Sequence, residues 1–136
     1  MIGSAAIALS GALAQSGRVA VAATNLANQR STGALPAADG TLPAGKSAAY
    51  QPQAATTVAQ AGGGAVTGSR PVSPAVLAEY DPASADANAQ GLIAAPNVDT
   101  PRDLLTLTSA GNAYKASLAV FKATDEMQRQ ALNLTA

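Results

Sequence analysis

The segment Gly40-Thr41-Leu42-Pro43-Ala44-Gly45-Lys46-Ser47 matches the phosphate-binding pattern G-x-x-x-x-G-K-S letter for letter. In that chemistry the glycines let backbone amides close around a phosphate, the lysine neutralises it and the hydroxyl holds magnesium, provided the loop leaves a buried strand and opens a helix. Neither flank fits. Upstream, residues 31–39 contain no strand-like apolar run, and downstream Pro52 stops a helix almost at once. No apolar strand ending in Asp offers a second magnesium ligand. The context favours a chance match in a glycine-rich loop over nucleotide binding.

A second stretch, Asp86-Ala87-Asn88-Ala89-Gln90-Gly91, opens like a calcium loop, with oxygen donors at alternate positions, Gly91 sixth and Ile93 eighth. Its twelfth position is Asn97 where a bidentate Glu belongs, Pro96 precedes it, and no helix flanks it on the N-terminal side. One carboxylate supplies too little charge, so a turn capped by its own Asp and Asn is expected. The acids Glu79, Asp81, Asp86, Asp99, Asp103, Asp125 and Glu126 form no acid/base pair by spacing, and the serines lack a base. His and Cys are both absent, which removes disulfides, thiolate chemistry, the commonest general base and most metal sites. The chain is therefore read as no enzyme, with no cofactor and no metal site.

What remains is a question of architecture, and the longest element is at the C-terminal end. Thr100 can N-cap a helix, Pro101 suits its first turn and Asp103 complements its dipole. Leu104, Leu107, Ala110/Gly111, Tyr114, Leu118 and Phe121 then recur at threes and fours, with Val120, Met127, Ala131 and Leu134 widening the stripe. Residues 101–132 as one helix would extend about 48 Å at ~1.5 Å per residue. Asp125 and Glu126 fall at helical spacing from Lys122 and Arg129, which predicts exposed ion pairs. At the other end, residues 3–28 predict a second helix whose seam (Leu9, Ala12/Leu13, Ser16, Val19/Ala20, Ala23, Leu26/Ala27) repeats at about 3.5 residues. Asn28, Arg30 and Gly33 make a plausible end to it.

Composition limits what these helices can bury. Of the 136 residues 48% are nominally hydrophobic, yet alanine supplies much of that and aromatics only 3%. Phe121 is the one Phe, joined by Tyr50, Tyr80 and Tyr114, so large side chains cannot dominate stability. Eight basic residues balance eight acidic ones, and no net charge draws in nucleic acid or an anionic membrane surface. No stretch reads as roughly 20 strongly apolar residues, so no direct membrane insertion is expected. Ala12-Leu13-Ala14 before Gln15 has the small-x-small form of a signal-peptidase site, but no Lys or Arg precedes Arg18, and a retained helix is preferred.

Between residues 31 and 99 Pro, Gly, Ser, Thr and Gln take over without sustained periodicity. Residues 54–59 and 72–80 could be short strands, separated by Gly62-Gly63-Gly64 and Gly68. The resulting expectation is a mainly α chain with long N- and C-terminal helices and an extended, loop-rich middle with room for one short β-hairpin. The segments are 1–30, 31–99 and 100–136, both termini forming one structural domain.

The run Ser10-Gly11-Ala12-Leu13-Ala14-Gln15, then Arg18 through Asn28 with its Asn25-Leu26-Ala27-Asn28, and Thr32, resembles the opening signature of the bacterial flagellar rod and hook protein family. Tyr80-Asp81-Pro82, Asp86 to Gly91, Pro96-Asn97-Val98-Asp99, Leu104-Leu105 and Ala113-Tyr114-Lys115-Ala116 are similar to the basal-body rod proteins within it. The resemblance covers roughly the first 32 and last 60 residues. It implies terminal helices paired as an antiparallel coiled coil facing the rod axis, and export through the type III apparatus without a cleaved signal peptide. It also implies polymerisation into the periplasmic drive shaft and the wall of the export channel. The partners it implies are other rod subunits, basal-body ring components and the export apparatus.

That picture fits the residues, because Ala-rich stripes on two helices cannot close a core alone and leave burial to be completed by neighbours. The residues expected at such an interface are Leu9, Leu13, Val19, Asn25, Leu26 and Asn28 in the first helix, and Leu104, Leu107, Tyr114, Leu118 and Phe121 in the last. Each apolar one could equally hold the two helices of one chain together. Asn25 and Asn28 could be ordinary helix-end caps, or polar contacts that fix register or neighbour choice. A secreted helical-hairpin adaptor that binds a partner without polymerising is the alternative.

Overall fold

Glycine and proline punctuation cuts the chain into six elements in a computed structural model that describes residues 2–37 and 39–134. Helix α1 spans Ile2–Ala27, strands β1 and β2 span Gln53–Ala59 and Ala65–Pro71, β3 and β4 span Val76–Tyr80 and Leu92–Pro96, and helix α2 spans Thr100–Asn133. The expected mainly α coiled-coil chain is thereby corrected. Two antiparallel two-stranded sheets, β1–β2 and β3–β4, occupy the middle, making this an α+β fold.

The physical reason is visible in the turns. Gly62, Gly63 and Gly64 all take positive φ, +95°, +95° and +98°, the left-handed region open to glycine. They reverse the chain so that Thr56 faces Gly68, Thr57 faces Thr67 and Val58 faces Val66. Residues 54–59 thus form the expected strand but pair with 65–71. The later strand within 72–80 pairs instead with Leu92–Pro96, across the connection 81–91.

The helices run antiparallel. Asn25 bonds Asp103, and a Cβ built on Gly11 would lie 3.4 Å from Ser117 Oγ, so the contacts run in opposite chain directions. The core between and around them is alanine: Ala8, Ala12, Ala14, Ala22 and Ala110 are all buried. A third layer packs on another face of α1, where Thr67 Oγ1 donates to the Ala14 carbonyl at 2.8 Å and the Ala65 amide to Ser10 Oγ at 3.3 Å. Gly17 permits this approach, since a Cβ there would stand 3.1 Å from Thr67 Cβ. Helix α1 is therefore the central element, between α2 and the first hairpin.

The second hairpin reaches the rest through the segment 31–50. Gly33 and Ala94 exchange backbone hydrogen bonds of 3.0 and 2.8 Å, while Ala34 and Tyr50 amides donate to Ser47 and Ser31 carbonyls. A Cβ on Gly33 would collide with the backbone of Ser47 to Ala49, so this crossing requires glycine.

Two helix expectations shift. The N-cap of α2 is Asp99, whose carboxylate accepts from the Arg102 amide at 3.1 Å, and Thr100 lies inside the helix with its hydroxyl on Gln29 Oε1 at 2.8 Å. Either side chain can accept from the third-residue amide, and Asp also adds negative charge at the dipole's positive end. By length and composition, Gly3–Ala27 is also long and apolar enough to cross a membrane, with mean hydropathy 1.3. Alanine raises that figure where leucine would in a strongly apolar span.

Candidate assembly surface

Near the end of α1, Asn25 is 3% exposed. Its Nδ2 donates to the Gln53 carbonyl at 2.8 Å and to Asp103 Oδ2 at 3.0 Å, while its Oδ1 accepts from Tyr50 Oη and the Gln53 amide, both at 3.0 Å. Two donors and two lone pairs are the full capacity of an amide side chain. One residue thereby joins α1, the segment leading into β1, the edge of that strand and the first turn of α2. Burial pushes the Tyr50 phenol above its ordinary value, and the Asp103 carboxylate nearby raises it further. A cleft of about 310 Å³ opens beside this cluster, with Arg18, Arg102 and Val98 on its walls.

Asn28 behaves differently. Its backbone amide and Nδ2 both donate to the Thr24 carbonyl, at 3.1 and 2.9 Å, and its Oδ1 accepts from Ser31 at 3.2 Å. It closes the end of α1. Of the two asparagines left open by sequence, one seals a helix and the other ties three elements to it.

The motif-like loops have structural employment. Gly40 and Gly45 turn the chain with φ of +81° and +76°, no helix opens at Lys46, and its ammonium meets the Ala85 carbonyl and lies 3.9 Å from Asp86. Asn88 Oδ1 accepts from the Gln90 and Leu92 amides, both at 2.9 Å, the capped turn that the residue types predict. The two loops hold each other, positioning the second hairpin.

The large apolar side chains mostly face outward. Leu9, Leu13, Leu104, Tyr114, Leu118 and Phe121 are exposed, Leu13 at 63% and Leu104 at 52%, while Val19, Leu26 and Leu107 are half-buried. The seam proper is formed by smaller residues than the spacing predicts: Ala110 and Thr124 are buried, the latter with its hydroxyl on the Val120 carbonyl. At ~100° per residue, Leu9, Val19 and Leu26 flank that seam on the side turned away from the first hairpin, and Leu107, Tyr114 and Leu118 flank it on the same side from α2. Arg18 is the one charge in α1, so this side is nearly uncharged along α1. The polar side of α2 carries exposed pairs, Arg129–Asp125 at 3.0 Å and Lys122–Glu126 at 4.0 Å, as the spacing predicts.

The sequence did not single out Gln53, Asp103 and Gly33 for these contacts. A buried amide needs four partners, but nothing in the order of residues says where on the chain they lie.

No protein-family model matches the chain. Among curated proteins it is 33% identical over 134 residues to the flagellar basal-body rod protein FlgC of Escherichia coli O6:H1, covering 94% of this chain and 92% of that one. It is 33% identical over 128 residues to FlgC of Salmonella typhimurium, with the same coverage. A shorter match to FlgC of Bacillus subtilis reaches 38% over 55 residues, 40% of this chain and 37% of that one.

Proposed function

Since the chain belongs to the FlgC family of flagellar basal-body rod proteins, and so has a structural role in the rod, we propose that it polymerises there through its terminal helices. The observation that carries this reading is the inversion of its apolar residues. Alanines fill the core while leucines and aromatics stand exposed in α1 and α2. Apolar side chains left exposed along a pair of helices favour an interaction surface, and neighbouring subunits would complete the burial that one chain leaves unfinished. Leu9, Leu13, Val19, Leu26, Leu104, Leu107, Tyr114, Leu118 and Phe121 are assigned to those contacts, Asn25 and Asn28 to holding the helices that present them. The two helices act as one unit and the segment 31–99 packs outward against neighbours.

In this reading the chain performs no chemistry. It passes through the type III export apparatus with its N-terminal helix retained, takes its place in the periplasmic section of the rod beside sibling subunits and ring components, transmits torque and walls the export channel. The test is the intact mass of the chain in purified hook-basal bodies. A retained N-terminus at 13.3 kDa is the expected result; a chain absent from the particle, or beginning at Gln15, would favour a secreted helical-hairpin adaptor.

A further inference from the structure

Each two-stranded sheet has two outer edges, and one edge of each is engaged within the chain. At β2 the Ala65 amide turns to Ser10 Oγ on α1 at 3.3 Å, and at β4 Ala94 exchanges both backbone bonds with Gly33. The outer edges of β1 and β3 are different. In the first hairpin the Gln60 amide donates to the Gly64 carbonyl at 3.1 Å and the Val72 amide to that of Pro52 at 2.9 Å, so the even residues of β1 bond β2 and the odd ones point outward. Asn25 takes both outward groups of Gln53. Those of Ala55, Thr57 and Ala59 meet no partner among the described residues. In the second hairpin the Asn97 amide donates to the Ala75 carbonyl at 3.0 Å and the Asp81 amide to that of Gly91 at 2.9 Å. That turns Val76, Ala78 and Tyr80 outward, again without partners among the described residues.

An open edge is normally blunted by charge, proline or a bulge. Residues 55–59, Ala-Thr-Thr-Val-Ala in unbroken register with β2, carry none of these. We infer that β3 of a second copy of this chain adds antiparallel to β1, with Tyr80 facing Ala55, Ala78 facing Thr57 and Val76 facing Ala59, to make one four-stranded sheet across two subunits. This rests on the polymerisation proposed above and names one contact that builds it. Both edges offer three outward residues at the same spacing, so each facing pair exchanges two hydrogen bonds. A contact between unlike edges leaves one of each free at the ends, which lets it propagate.

Charge and shape agree with this occupant. Residues 71–91 carry Glu79, Asp81 and Asp86 and no basic residue, while the edge of β1 is flanked by Arg18 and Arg102 in the cleft and by Arg70, the β2 partner of Ala54. Asp81 would stand level with Ala54 on the face that carries Arg70, with only the Ala54 methyl between them. Thr67 bonds the Ala14 carbonyl, so the odd residues of the first hairpin face α1. Tyr80, 70% exposed, would therefore turn its ring to the cleft beside Arg18, Val21 and Ala22, where the guanidinium can stack on it. The second hairpin packs on no helix and on neither strand of the first, which leaves it free to reach a neighbour.

Cysteine is absent and the two hairpins do not touch within one chain, so a disulfide between them reports two copies. Val58 and Leu77 are exposed and fall opposite each other in the inferred pairing, at the ~4.5 Å Cα separation of a non-hydrogen-bonded pair. In isolated basal bodies, oxidised Val58→Cys/Leu77→Cys is expected to give linked dimers and longer ladders. Neither single variant should link, nor should Val58→Cys/Ala78→Cys, whose side chains point to opposite faces. If the first pair is not incorporated, Thr56→Cys/Glu79→Cys tests the same alignment. Ala78→Pro removes an outward N–H that no bond within the chain uses, and should abolish the linking while circular dichroism of the isolated chain is retained. Linking that survives Ala78→Pro, or incorporated chains that never link, overturn the inference and leave the polymerisation reading in place; a wild-type chain absent from basal bodies overturns both.

Discussion

An amide with two hydrogens to donate and two lone pairs to fill is an expensive group to bury, and Asn25 is buried with all four satisfied. Asn25→Ala is expected to destabilise the chain by about 3 kcal/mol, because it strands the Tyr50 hydroxyl, both backbone groups of Gln53 and Asp103 at once; urea denaturation followed by circular dichroism measures it. Tyr50 adds a pH dependence. Its raised value means that the folded chain favours the neutral phenol, so this contribution is in full force below the ordinary phenol value of about 10 and is lost as pH rises through the raised one. Stability should fall above about pH 10, and Tyr50→Phe should flatten that limb of the profile. At Lys46 the prediction runs the other way. Lys46→Ala should leave motility intact and show no change in nucleotide binding by calorimetry, because its ammonium holds the 81–91 connection through Ala85 and Asp86.

Among the elements, α2 was the most legible from sequence because its stripe is long, its proline sits at the start and its exposed ion pairs follow helical spacing. Its cap was read one residue late, since Asp99 and Thr100 are both good caps and only the backbone path decides between them. Asp99→Ala should therefore cost about 1 kcal/mol in thermal or urea unfolding, and Thr100→Ala less. The hairpins were less legible for different reasons. The first was half visible through Gly62 to Gly64. The fourth strand was hidden, since Ile93, Ala94 and Pro96 are all buried and a strand covered on both faces shows no alternation. Gly33 was read as a helix terminator but serves as a crossing point, where Gly33→Ala should destabilise strongly because backbone on the far side cannot move away; a lowered melting temperature and loss of amide protection at Ala94 are the expected readouts.

At the scale of the whole molecule, a core of alanines and a surface bearing leucines is poorly suited to a chain that acts alone. Leu13 is well exposed on α1, so Leu13→Glu should change the stability of the isolated chain by no more than about 0.5 kcal/mol. The same change should strongly reduce incorporation into basal bodies and swimming, because a carboxylate buried against a neighbour without a partner is costly. Normal incorporation of Leu13→Glu would remove Leu13 from the assembly contacts.

Sequence by itself determined the two helices, the small residues along the seam of the first, the absence of histidine and cysteine and the resemblance to flagellar rod proteins, because each is a local pattern or a matter of composition. Tertiary structure alone decided which strands pair, that α1 lies between α2 and a hairpin, and that the asparagine of the Asn-Leu-Ala-Asn run is saturated by Tyr50, Gln53 and Asp103. Helical period is carried by neighbours three and four residues apart, whereas hairpin partners and the ligands of a buried amide are brought together from distant parts of the chain, and that closure leaves no periodic mark on the order of residues.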